Sequence, residues 1–277
     1  MTSIDKIDSD WLIPKSDISF DYLKRFNRNM GLLHLIQGIL MVLMGFLPQL
    51  SYSNDIYTFY LEYQFPIGVT PNPEVIFSFT ALGAFVGTFL LMSAVAHLLI
   101  AYPLNKGYIK NLKKGINKVR WFEYALSSSV MIVLIAMFFG VLDFWALFMM
   151  FISNALMNMF GLMMELHNVY TREKGEKVKW TAFYLGVVAG AVPWIVITAY
   201  FLNTSVIGGE IPWFVYVIYV VELAFFNSFA INMILQYKGV GKWKDYLYGE
   251  RMYQVLSLVA KTSLAWLVFA GVFSPTG

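Results

Sequence analysis

The chain has 277 residues, 58% of them hydrophobic and only 13% charged, with a formal net charge of +3 and a mean hydropathy of +0.62. Ordinary globular chains carry about 25% charged residues, so the composition is that of a membrane protein. The small net charge gives no reason to expect a nucleic-acid partner, and the absence of cysteine excludes a disulfide framework or a thiolate metal site.

Residues 1–28 hold five basic and five acidic residues, with Trp11, Leu12, Ile13, Phe20 and Leu23 scattered among them. They lack the basic-then-apolar-then-small order of a cleaved signal peptide. They read as a cytoplasmic segment lying on the membrane surface. Seven apolar segments follow, at 29–48, 75–102, 121–141, 144–166, 180–202, 211–236 and 250–273, each close to the roughly 20 residues that a crossing helix needs. The expected organisation is an N-terminal segment (1–28), a seven-helix domain (29–273) and an external tail (274–277), in an all-α membrane protein.

The loop between the first two segments, 49–74, contains DIYTFYLEYQF and then Pro66, Gly68, Pro71 and Pro73. It fits a short β-hairpin or interfacial flap, or equally an irregular loop with its aromatic rings at headgroup level. Apart from Glu123 at its start, Trp121 to Met164 is one apolar run broken only by Asp143. It is twice too long for one crossing, so a tight turn is predicted near 140–143, with Asp143 as N-cap of the fourth helix. Pro193 is expected to kink the fifth helix unless the carbonyl it frees finds a donor. Glycine, proline and large rings gather at 186–194 and 222–229, either as a slot for a long flat apolar ligand or as ordinary helix packing.

Orientation follows from the basic residues. The N-terminal segment and the loops after the second, fourth and sixth segments carry five, six, four and four of the 20 Lys and Arg. The opposite loops and the tail carry none. That split places the N-terminus in the cytoplasm and the C-terminus outside.

The remaining basic residue is Lys261, alone in LSLVAKTSLAWLVF within the last segment. A cation near mid-membrane costs roughly 2.5–3.5 kcal/mol on insertion scales. Snorkelling does not rescue it, because the helix rises about 15 Å between Arg251 and Lys261. The amine therefore needs a partner or a covalent change. Ser257 lies one turn earlier on the same face. Glu123, just inside the third segment, is the candidate partner: with Ser127 and Met131 it forms an i, i+4, i+8 stripe. The alternative is an interfacial Glu123 paired with Arg120. His34, Gln37, Ser93, His97, Asn154, Asn158, Glu222 and Asn227 are also polar groups within apolar segments. For the two histidines the choice is between a shared polar cavity with Arg120 and simple interhelical hydrogen bonds. For Asn154 and Asn158, one turn apart, interhelical bonding is the simpler reading. The His and Glu positions show no metal-ligand spacing. No phosphate loop or Ser-His-Asp arrangement marks an enzyme.

A lysine in the seventh helix facing a carboxylate in the third is the arrangement of retinal-binding rhodopsins. The words RWFEYALSSSVMIVLIA (120–136), AGAVPW (189–194), FFNSFA (225–230), LQYKGVGKW (235–243) and GERMYQVLSLVAKTSLAW (249–266) closely resemble heliorhodopsins, a family with the N-terminus inside. The resemblance runs from about Arg25 to Pro275. It implies a seven-transmembrane-helix rhodopsin-like bundle with all-trans retinal on Lys261 as a protonated Schiff base and Glu123 as its counterion. Ser257 and Ser127 match its polar neighbours. Met131, Asn154, Gly161, Pro193, Trp194 and Phe226 match chromophore-pocket positions. His34, His97, Arg120 and Trp121 match a polar cytoplasmic cavity that is a candidate proton acceptor. The resemblance further implies a homodimer and a slow light sensor, without ion pumping, that signals to a cytoplasmic partner. Glu222 departs from the family pattern. It shares the Phe226 stripe, four residues earlier, on the external half. It is either a carboxyl near the outer interface or the start of a proton path from the Schiff base to the outside. The competing functions are a light-driven or light-gated proton transporter on the same fold, and a non-photochemical seven-helix transporter or intramembrane enzyme.

Overall fold

The computed structural model describes residues 11–47, 54–80, 82–207 and 211–273. In chain order these form α1 (Phe20–Gly45), β1 (Asn54–Gln64), β2 (Gly68–Phe79), α2 (Leu82–Ala101), α3 (Asn105–Leu112), α4 (Lys118–Phe138), α5 (Phe144–Glu173), α6 (Thr181–Ile207), α7 (Trp213–Lys238), a 3-10 turn (Gly241–Lys244) and α8 (Tyr246–Phe273). All the helices except α3 are long and apolar enough to cross a membrane, which gives seven candidate spans among the described residues. Helix α8 is the seventh. The predicted tail 274–277 and parts of the predicted 1–28 segment and 49–74 loop lie outside the described residues.

Helix α1 begins nine residues before the predicted first span. Ser19 caps it, accepting from the Tyr22 amide at 3.1 Å. Its buried face, Leu23, Asn27, Gly31, His34, Gly38, Met41 and Gly45, keeps helical spacing from the first turn. Lys24, Arg25 and Arg28 on the exposed face hid that period from a hydropathy reading. Residues 11–19, just before α1, are tied to the rest of the chain. The Leu12 amide donates to the Lys113 carbonyl at 2.9 Å, Ile13 is buried, and the Ser16 hydroxyl donates to Asp245 Oδ2 at 2.6 Å.

Strands β1 and β2 form a two-stranded antiparallel hairpin, so of the two readings of the first long loop the hairpin is the one that forms. It continues to Phe79, and residues 75–79 of the predicted second span are therefore strand. Hydropathy alone does not separate VIFSF in a β-branched and aromatic strand from the start of a helix. The hairpin's base docks on the turn between α4 and α5. The Tyr57 amide donates to the Leu142 carbonyl at 2.9 Å, and the Trp145 indole donates to the Thr58 hydroxyl at 3.2 Å. Its tip carries Leu61, Phe65 and Ile67, all exposed.

The turn itself falls where the apolar run demands one. Gly140 adopts φ +87°, a conformation open to glycine at little cost. Asp143 then caps α5 by accepting from the Ala146 amide at 2.7 Å. In α6 the helix runs on through Pro193. The carbonyl that Pro193 leaves without an intrahelical donor is that of Ala189, and the Ser153 hydroxyl of α5 donates to it at 2.8 Å.

Helix α4 is the most buried of the seven spans, while α6 and α7 are buried over much less of theirs. Helices α1 and α2 approach backbone to backbone. A Cβ on Gly45 or Gly83 would run into the other's main chain, and one on Gly38 would come within 2.8 Å of Leu91. Within the bundle α4 lies beside α2 and α5, and its side chains reach α8 through Glu123, Tyr124 and Arg120.

Candidate functional site

The centre of the bundle holds one ion pair. Lys261 Nζ of α8 donates to Glu123 Oε1 of α4 at 2.7 Å and to Ser257 Oγ at 3.0 Å. Ser93 Oγ of α2 donates to the same Glu123 oxygen at 2.6 Å, and the Tyr124 ring lies 5.2 Å from the amine. The two side chains are 3% and 8% exposed, which decides between the two readings of Glu123: it turns inward to Lys261. A buried charge survives in a low-dielectric interior when it is both paired and hydrogen-bonded, and here three helices supply those partners. Ser127 is fully buried one turn beyond Glu123.

An apolar cavity opens between α4, α5, α6, α7 and α8, with Lys261 and Ser257 in its wall. Trp121, Tyr124, Met131, Phe226 and Phe229 supply rings and flexible apolar surface, and Gly161 and Gly186 supply width. Trp121 crosses Gly161 so closely that a Cβ there would run into the indole. A long conjugated apolar molecule with an aldehyde end fits such a slot, since its body meets rings and its end meets a primary amine paired with a carboxylate. Gly161→Ala is expected to force the indole aside at the overpacking cost of about 1–3 kcal/mol. Thermal unfolding of the ligand-free variant checks this.

The other expected pocket residues take different places. Asn154 stands behind the wall, donating to Ser128 Oγ at 2.8 Å and Ser129 Oγ at 3.0 Å. It acts as a link between α5 and α4, whereas Asn158 reaches the cavity. Pro193 is buried, and the Trp194 ring packs edge-on at 5.4 Å against Phe226. Neither of them lines the cavity.

A second, small polar cavity lies toward the end of the bundle that carries the basic loops. Asn27, His97, Arg120, Glu123, Glu250 and Gln254 are in its wall. It brings His97 and Arg120 together, as expected. His34 does not line it but stacks on His97 at 5.6 Å. His97 Nδ1 donates to Asn27 Oδ1 at 2.8 Å. Trp121, expected here, lies on the apolar cavity instead, because its indole turns to the gap at Gly161.

Sequence reasoning missed what Arg120 does. Its guanidinium pairs with Glu165 of α5 through Nη2 and with Glu250 of α8 through Nη1, all three side chains being buried. Asn117 completes the cluster: its amide donates to Glu165 Oε2 at 2.8 Å and its Nδ2 to Glu250 Oε1 at 2.5 Å. The Tyr253 ring lies 3.9 Å from the guanidinium carbon. A signal was present in α5, where Asn154, Asn158, Gly161, Glu165 and Asn168 are all buried and follow one helical face. Glu222 of α7 is also fully buried. Neither of its carboxyl oxygens has a hydrogen-bond partner among the described residues.

Seven membrane-length helices around a buried lysine–carboxylate pair beside an apolar slot define the rhodopsin class of retinal-binding membrane proteins. Within it, residues 23–273 match the family model described as Heliorhodopsin, and the chain belongs to that family. No curated protein matches the chain. Membership makes it a multi-pass integral membrane protein of the retinal-binding, light-sensing type.

Proposed function

We propose that the chain is a light sensor in which Lys261 carries all-trans retinal as a protonated Schiff base with Glu123 as its counterion. The observation that carries this reading is the 2.7 Å contact between Nζ and Oε1 at a wall of the apolar cavity. When bound, retinal supplies the visible absorption and the light-driven isomerisation. Glu123 Oε1 and Ser257 Oγ orient the proton held at Lys261 Nζ, and Ser93 fixes Glu123. Trp121, Met131 and Phe226 give the slot an apolar wall. A turn of the N–H away from Glu123 removes the hydrogen bond that holds the proton. A slow return then gives the long-lived state a sensor needs. Expression with all-trans retinal tests this: a visible band that hydroxylamine bleaches is expected, and a colourless protein overturns the reading. In Glu123→Gln, loss of the negative charge is expected to move the absorption maximum to longer wavelength, as read by the spectrum of the purified pigment. An unmoved maximum removes Glu123 from the counterion role.

The cytoplasmic orientation of the N-terminus rests on the sequence count, nineteen basic residues in the N-terminal segment and the loops after the second, fourth and sixth segments against none in the opposite loops. The same face, with its basic loops, is where a cytoplasmic signalling partner would dock. The exposed apolar tip of the hairpin supports a homodimer contact, which cross-linking through single cysteines near Phe65 would detect.

A second reading, a light-gated or light-driven proton transporter, is favoured by Glu222, a buried carboxyl without a hydrogen-bond partner among the described residues, on the stripe leading to Phe226. Patch-clamp recording under illumination separates the two. A photocurrent that Glu222→Gln abolishes supports transport through this residue, and no photocurrent in the unmodified protein removes it.

A further inference from the structure

Four buried residues of α8, Glu250, Gln254, Ser257 and Lys261, fall on one helical face at i, i+4, i+7 and i+11. They join the central ion pair to the Arg120 cluster. The small cavity between the two sites has Glu123 and Glu250 both in its wall. It measures about 20 Å³, above the roughly 10–15 Å³ that a water occupies. Gln254 Oε1 is buried and has no partner among the described residues, so it offers such a water an acceptor.

We propose that Glu250 is the acceptor that stores the proton leaving Lys261 Nζ, in a compartment closed to the solvent. The inference rests on the Schiff-base reading above. In the step, the N–H bond at Lys261 breaks and its electron pair stays on nitrogen. An O–H bond forms at the Glu250 carboxylate, with water in the cavity relaying the proton. The cluster favours this on charge alone, since one guanidinium faces two carboxylates, Glu165 and Glu250. Protonating one of them removes the excess negative charge and leaves Arg120 paired with the other.

The remaining titratable groups around Glu250 are poorer acceptors. Glu165 does not line the cavity and is held by the Asn117 amide. His97 already donates through Nδ1 to Asn27, and a second proton would make it a buried cation. A proton on Glu123 sits beside the amine it left, whereas one on Glu250 must recross the cavity, which makes its return slow. Tyr124, Tyr246 and Tyr253 are buried phenols. Burial pushes the Tyr108 hydroxyl well above its ordinary value, so it too stays a neutral donor. Leu247, one turn before Glu250, and Leu23 and Leu112 are fully buried and packed with Ile13 of the N-terminal segment, an apolar layer that offers the proton no acceptor.

Infrared difference spectroscopy under illumination tests the assignment, with a pH-indicator dye in the bulk. The pigment is expected to gain a carboxylic-acid band that shifts on ¹³C-glutamate labelling, while the dye reports no released proton. Glu250→Gln should keep the visible absorption maximum and lose the band, and Glu250→Asp should keep the band at a displaced frequency. Retention of the band in Glu250→Gln, absence of a band in the unmodified pigment, or release of the proton to the dye overturns the storage role. None of these results touches the Schiff-base reading, whereas a colourless protein removes both. In the retinal-free protein, the excess charge predicts that Glu250→Gln holds or raises the melting temperature while Arg120→Gln lowers it. Equal losses in the two variants would overturn the charge imbalance on which the acceptor rests.

Discussion

Lys261→Ala is expected to abolish the pigment completely. Expressed with all-trans retinal, the variant should show no visible band that hydroxylamine bleaches, because the amine is the group in the cavity wall able to condense with an aldehyde. The substitution also strands Glu123, whose side chain is 8% exposed and keeps Ser93 as a hydrogen-bond donor. Removing one partner of a buried pair costs about 3–5 kcal/mol, so loss of colour in the single variant could reflect loss of fold. Lys261→Ala combined with Glu123→Gln separates the two. The double variant is expected to recover stability, measured by thermal unfolding in detergent, and to remain colourless. If it regains a bleachable visible band, another amine carries retinal.

Arg120→Gln is expected to be the most damaging substitution outside the chromophore site. It leaves Glu165 and Glu250 facing each other in a region where both are almost fully buried. The same range, about 3–5 kcal/mol, is expected as a loss of unfolding free energy in denaturant titration of the retinal-free protein. The exposed pair Lys179–Glu176, 3.7 Å apart with side chains 63% and 47% exposed, is the internal control. A solvated pair of this kind contributes about 0–1 kcal/mol, so Lys179→Ala should leave the titration unchanged. An Arg120→Gln loss no larger than that of Lys179→Ala would mean that the cluster is solvated.

The central pair was legible from sequence because cost singles it out. Nineteen basic residues have somewhere polar to be and Lys261 does not, so its partner could be sought among the few carboxylates inside apolar segments. The Arg120 cluster was not legible by that logic. Arg120, Glu165 and Glu250 each stand near the end of an apolar segment, where a charge is ordinarily solvated and cheap. Only the fold makes them expensive, by packing Tyr246, Leu247 and Leu112 over that end. Periodicity was the available signal. The buried stripes 154–158–161–165–168 of α5, polar except for Gly161, and 250–254–257–261 of α8 point both helices' polar faces inward. The first helix was cut short for a related reason, since charges on its outer face masked an inner face already in register. The hairpin was readable as a possibility, but its reach to Phe79 depended on pairing with β1, which a single strand's sequence does not report.

The glycines at the contact of α1 and α2 also decide where movement can occur. With Gly45 against Gly83, and Gly38 under Leu91, these two helices interlock without slack. They form a fixed plate that carries Ser93, His97 and Asn27. Helices α6 and α7 face outward over most of their length and meet the slot through side chains such as Phe226. Strain arising in the slot therefore has a stiff side and a yielding side, and it is the yielding side that can be displaced. Ser93, which holds Glu123, then stands on the stiff side while the opposite wall gives way.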